Sequence, residues 1–220
     1  MGPESTMIYY RYITREYTKR YGALNYPEIV IYSLRYQELA CWLHEERWDL
    51  IVQTMTKGFR ALHRATADFG LIACNTLHIV FDEAQSKSPI PLINIIDATA
   101  EAIEQECMRT VGLLGTALTM NRDFYKKTLA KKNINVLVPK KEDQLFVDKA
   151  ICEELVQGII RTKSKKRLIK IIHDMVFRGA EGVVLGCTEL PLLVNEQDCE
   201  VQLFDTALIH SRKALDFGAT

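Results

Sequence analysis

No sign of charge prevails in this chain: 28 Lys and Arg stand against 28 Asp and Glu, a formal net charge of zero. Partners such as nucleic acid or an anionic membrane surface call for a basic footprint, so neither is expected. No apolar run approaches the roughly 20 residues needed to span a bilayer. The first residues show no charged segment followed by an apolar one, so no secretory leader is expected. The six cysteines, Cys41, Cys74, Cys107, Cys152, Cys187 and Cys199, are scattered, with no CxxC spacing. In a chain of this length that pattern predicts reduced thiols and a cytoplasmic setting. Cys74, His78 and Cys187 are metal-ligating types, but four convergent ligands are not evident and no metal is expected.

What is present is a sizeable core. With 48% hydrophobic and 25% charged residues, the 220-residue chain suits one large domain or two small ones. A glycine–proline turn opens it, and Ser5 or Thr6 is placed to cap a helix reaching about Tyr21. Pro27–Tyr32 is continuously apolar and β-branched, and reads as a buried strand. Helices are expected from about Tyr36 to Arg47 and from Trp48 to Thr66, then a strand over Phe69–Ala73 and a helix from about Leu77 to Gln85. A strand ending near Ile96 and a helix from Ala98 to Cys107, capped by Asp97, close a first block. A second block repeats the alternation: strand Val111–Thr116, helix to about Lys132, strand Ile134–Val138, helices 142–156 and 164–178, and strand 182–186. A strand at Val201–Phe204 and a helix at Ala207–Phe217, capped by Asp205 or Thr206, end it. Strands alternating with helices predict parallel sheets covered on both faces.

Two stretches share a design. Phe69–His78 runs from an apolar segment into Cys74, Asn75 and Thr76; Gly182–Glu189 runs from an apolar strand into Cys187, Thr188 and Glu189. Each cysteine falls at a strand's carboxyl end, where unpaired backbone N–H groups favour a thiolate or an anion. Two thiols facing one carbon support a definite chemistry. One thiolate removes a proton from one face while the other thiol delivers one to the opposite face, inverting the centre without a cofactor. An α-proton of an amino acid is a poor acid, so the carbanion needs donors on the α-carboxylate. Asn75, Thr76, Thr116, Thr119 and Thr188 occupy strand-end or helix-start positions that supply them.

These segments resemble the aspartate/glutamate racemase family, and within it the aspartate racemase or broad-specificity amino-acid racemase branch. Met1–Thr6 with Tyr9 and Tyr10 is similar to the family's N-terminal glycine-rich loop and helix, and Ala73–His78 to its first cysteine motif. Leu114–Thr116 with Thr119 and Met120 resembles the loop opening the second domain. Gly186–Glu189 resembles the second cysteine motif, followed by Phe204–Thr206 and His210. Glu189 stands where the glutamate racemase branch has histidine. The resemblance implies two pseudo-symmetric α/β domains, residues 1–97 with 200–220 and residues 98–199, and an active site in the cleft between them. It implies PLP-independent racemisation, with Cys74 acting on the D-enantiomer's proton and Cys187 on the L-enantiomer's. Asn75, Thr76, Thr116, Thr119 and Thr188 would hold the substrate, Met1 and Ser5 would line its pocket, and a homodimer is implied. Hydantoin racemase and maleate isomerase-like enzymes are the alternative activities.

One departure stands out. Family members begin with a short apolar strand and a glycine ahead of the segment that starts here. A chain starting at Met1 is therefore expected to lack an interior strand of its first domain, through a misassigned start or in an inactive paralogue. Among other groups, Cys41, Cys107, Cys152 and Cys199 read as structural, His78 as packing or capping, and His210 as structural. Arg35, Arg161 and Lys163 read as surface charges first and as binders of a side-chain carboxylate second.

Overall fold

The computed structural model describes residues 2–218, so Met1 lies outside the described residues. Two parallel sheets organise it. The smaller pairs β1 (Gly70–Leu71) with β2 (Leu92–Ile93). The larger contains β3 (Thr110–Gly115), β4 (Asn135–Leu137), β5 (Gly182–Gly186) and β6 (Gln202–Asp205), in the spatial order β4-β3-β5-β6. The helices are α1 (Pro3–Tyr21), α2 (Tyr36–His44), α3 (Trp48–Arg64), α4 (Phe81–Lys87), α5 (Ile95–Gln105), α6 (Ala117–Asn121), α7 (Phe124–Ala130), α8 (Lys141–Glu153), α9 (Thr162–Phe177) and α10 (Thr206–Phe217). This is an α/β fold in two parts, as expected.

The larger sheet is buried on both faces because its side chains alternate. Leu114, Val183 and Leu185 face one way, onto Val147 of α8 and Leu168, Ile172 and Met175 of α9. Val111, Leu113 and Val184 face the other way, onto Ile96 and Ile103 of α5 and Tyr125 and Leu129 of α7. A third cluster, built from Leu39, Ile51, Val52, Met55, Phe59, Ile72 and Leu92, holds α2 and α3 against β2 and the residue that follows β1.

Several boundaries differ from the sequence reading. α1 starts at Pro3 behind Gly2, and neither Ser5 nor Thr6 caps it, because Ser5 turns inward. Asn94, not Asp97, caps α5, accepting from the N–H groups of Ile96 and Asp97. Thr116 caps α6 by accepting from Thr119, and the expected single helix to Lys132 breaks into α6 and α7. Asp205 caps α10. The division at residue 200 falls just ahead of β6, which pairs with β5 in the larger sheet, while α10 returns to α1 and α5.

Pro27–Tyr32 is not a strand. It belongs to no ladder, and Val30, Ile31 and Tyr32 are exposed. Extended residues become a strand only when a neighbour closes the hydrogen bonds. Beside this segment a cavity of about 500 Å³ is lined by Tyr9, Tyr17, Ile29, Ile31, Phe59 and Leu71. The cavity separates it from β1, and neither Cys74 nor Cys187 lines it.

Candidate active site

Cys187 follows β5 directly and is buried, as are Thr188 and Glu189. Its backbone is held close to β3: a Cβ on Gly186 would lie 2.8 Å from the Leu114 carbonyl oxygen, and one on Gly115 2.9 Å from that of Gly186. Only glycine permits this approach. The Cys187 Sγ–H donates to Glu189 Oε2 at 3.1 Å, and the Thr188 hydroxyl donates to the same oxygen at 2.9 Å. Ser5 of α1 donates to Glu189 Oε1 at 2.8 Å and lies 2.6 Å from Thr188 Oγ1. A buried carboxylate is thus met by three donors, and the first turn of α1 is tied to the second cysteine motif. Burial, then the negative charge of Glu189, push the Cys187 thiol well above its ordinary pKa, so it rests as a thiol.

Cys74 follows β1 by three residues and is half-buried. Its N–H donates back to the Ile72 carbonyl at 2.7 Å, a tight turn that aims the chain into a short 3-10 helix over Thr76–Val80. The next residues point two ways. Asn75 faces the core: its amide donates to Thr206 Oγ1 at 3.0 Å, and its carbonyl oxygen accepts from Tyr125 OH at 2.5 Å. Thr76 instead meets the larger sheet's end. Its hydroxyl lies 3.0 Å from that of Thr116 and 3.3 Å from that of Thr119, which are themselves 3.1 Å apart. Three hydroxyls from two motifs therefore gather at one point.

The sequence reading thus has its residues brought together in two groups, Ser5, Cys187, Thr188 and Glu189 in one and Thr76, Thr116 and Thr119 in the other, while the Asn75 side chain is committed to core partners. Tyr36, the first residue of α2, escaped it. Burial, then its nearness to the acidic groups of the two cysteine motifs, push its phenol up to about 12. The residue remains 42% exposed, and in the sequence it was only a helix start. Tyr125 escaped it too, being one aromatic of a helix face. Neither Arg35, paired with Glu38 at 3.4 Å, nor Arg161, paired with Glu154 at 3.5 Å, is drawn into these groups, and Lys163 is exposed. Both ring nitrogens of His78 have protein partners, which leaves none for a metal.

Each of the two parallel sheets leads into a cysteine motif, and the hydroxyls of Thr76, Thr116 and Thr119 gather where the first motif meets the larger sheet, an arrangement of the racemase fold. The family model described as Asp/Glu/Hydantoin racemase matches residues 1–214, and the chain belongs to that family. An aspartate racemase homologue from Pyrococcus horikoshii OT3 is 38% identical, with a TM-score of 0.86 over 99% of this chain and 95% of that one. The broad-specificity amino-acid racemase RacX of Bacillus subtilis (strain 168) is 26% identical over 94% of this chain and 90% of its own length. A glutamate racemase from Hydrogenobaculum sp. (strain Y04AAS1) is 32% identical over 76% of this chain, which spans 62% of that relative.

Proposed function

We propose that this chain is a cofactor-independent amino-acid racemase of the aspartate/glutamate type, using Cys74 and Cys187 as its two acid/base groups. The observation that carries the reading is the buried Cys187 thiol paired with Glu189 at 3.1 Å. In one direction Cys74, as thiolate, takes the α-proton and the Cys187 thiol delivers one to the opposite face. In the other direction the roles exchange: Cys187 passes its proton to Glu189 Oε2, the acceptor already in contact, and acts as thiolate, while Cys74 takes a proton from solvent and delivers it as thiol. By the family resemblance Cys74 serves the D-enantiomer and Cys187 the L-enantiomer.

Charge developing on the α-carboxylate needs fixed donors. The Thr76, Thr116 and Thr119 hydroxyls support this role, since each can turn its proton from a neighbour to an incoming oxygen. Thr188 and the N–H of Asn75 complete the candidate set. The two sheets support a two-part division in which β6 stays with the larger sheet and α10 returns to α1 and α5. Sulfur chemistry of this kind uses reduced thiols, in keeping with a cytoplasmic setting and a small amino-acid substrate.

The test is incubation in deuterated water with single enantiomers of aspartate, glutamate and neutral amino acids. The reading predicts α-deuterium incorporation with inversion for at least one amino acid. Exchange on hydantoins, or isomerisation of maleate, with none on amino acids would move the activity to that other branch.

A further inference from the structure

The peptide that carries Cys74 is held by a single side chain four residues on. His78 Nδ1 lies 2.8 Å from the Cys74 carbonyl oxygen, and Nε2 lies 3.1 Å from the backbone nitrogen of Ile95 at the start of α5. The partners decide the tautomer. A carbonyl only accepts and an N–H only donates, so the proton sits on Nδ1 and Nε2 is the bare acceptor. The ring plane is fixed as well, since His78 stacks on Phe81 with centroids 5.2 Å apart and an interplanar angle of 5°.

A second histidine braces the same corner. His210 of α10 lies edge-on to His78, with centroids 6.1 Å apart. Its Nε2 donates to the Ile93 carbonyl at 2.8 Å, and its Nδ1 accepts from Tyr9 OH at 2.8 Å. The residues on either side of Asn94, where β2 gives way to α5, are therefore each gripped by a buried histidine. One grip continues to Cys74 and the other to α1.

We infer that His78 is a positioning residue for Cys74, fixing its carbonyl against the start of α5 so that the thiol meets the substrate's α-carbon from a constant direction. This rests on the reading of Cys74 as an acid/base group. Thiol orientation matters because a misplacement of about 1 Å at a reacting atom costs on the order of 100-fold in rate. His78 takes no proton itself: both its nitrogens are engaged, and burial lowers its pKa to about 4, keeping it neutral at working pH.

The experiment compares His78→Phe and His78→Gln with wild type. Phenylalanine keeps the stack on Phe81 and removes both hydrogen bonds. Glutamine can donate to the Cys74 carbonyl and accept from Ile95. His78→Phe is expected to lower kcat about 100-fold with little change in KM. Its iodoacetamide reactivity at Cys74, read by mass spectrometry across pH, should change while that at Cys187 does not. His78→Gln should return kcat to within about tenfold of wild type. Wild-type kcat in His78→Phe overturns the inference, as does a loss that His78→Gln leaves unrelieved or that alters both thiols alike. Nitrogen NMR of wild-type His78 adds a reading independent of variant folding: an Nδ1–H tautomer across pH 6 to 8 is required, and an Nε2–H tautomer overturns it. A Cys74→Ser variant racemising at the wild-type rate would instead overturn the underlying role of Cys74.

Discussion

Cys187 and Glu189, two residues apart, form a buried thiol–carboxylate pair in which the thiol S–H donates to the carboxylate at 3.1 Å. The pair makes the two cysteines unlike. Cys187 begins protonated behind β5, whereas Cys74 begins half-exposed on a turn.

Replacing Glu189 with Gln separates its two effects. The charge raises the Cys187 pKa, so its loss should lower the pH at which Cys187 becomes alkylated. The proton acceptor is lost as well, and kcat should fall by about 100-fold or more. Thiol alkylation profiles and racemisation kinetics on one preparation check both. Unchanged kcat with a shifted profile would confine Glu189 to tuning charge.

Gly186 should resist alanine. A Cβ there would meet the Leu114 carbonyl oxygen at 2.8 Å and Leu113 Cδ1 at 2.9 Å, and a backbone oxygen does not rotate away. Gly186→Ala is expected to cost about 1–3 kcal/mol in urea unfolding. Because the displaced backbone carries Cys187, its activity should fall further than its stability.

Tyr125→Phe tests the core side of the first motif. The phenol is fully buried and donates to Asn75 Oδ1. Without it that oxygen loses its donor, at a cost of about 1–3 kcal/mol. Chemical unfolding reports the loss. Restored stability in a double variant with Asn75→Leu would show that the unmet oxygen carries it.

Acid should loosen the fold through its two buried histidines. Burial holds His78 at about 4 and His210 at about 3, both below the ordinary 6.5. The unfolded chain then binds protons first, so their contribution is complete above about pH 6.5 and declines as pH falls toward 4. The slope is on the order of 1 kcal/mol per pH unit for each histidine over that window. Asp205, raised by burial, opposes this only in the carboxylate range. Cys187 gives the opposite limb: its raised pKa means stability is lost as pH rises above the ordinary thiol value. Urea unfolding between pH 4 and 10 should show a maximum near neutrality, and a flat acid limb would contradict the buried neutral histidines.

Much of this was legible in the sequence because it is local. Apolar runs of five or six residues ending in Cys-Asn-Thr and Cys-Thr-Glu announce strand ends, and Asp205 and Thr116 are caps by composition. What escaped is what depends on distant neighbours. Pro27–Tyr32 has a strand's composition but no ladder. Ser5 looks like a cap, yet its hydroxyl is used by Thr188 and Glu189, some 180 residues away. Tyr36 and Tyr125 carried no local mark of their roles, and the two histidines looked like ordinary core residues until both nitrogens of each could be assigned partners.

That Cys74 and Cys187 share one reaction remains the step on which the mechanism turns. It is tested most directly by following α-proton exchange and inversion of single enantiomers in deuterated water for wild type, Cys74→Ser and Cys187→Ser. Wild type should exchange and invert, and both should be lost in either variant. Inversion at the wild-type rate after removal of either cysteine would contradict it.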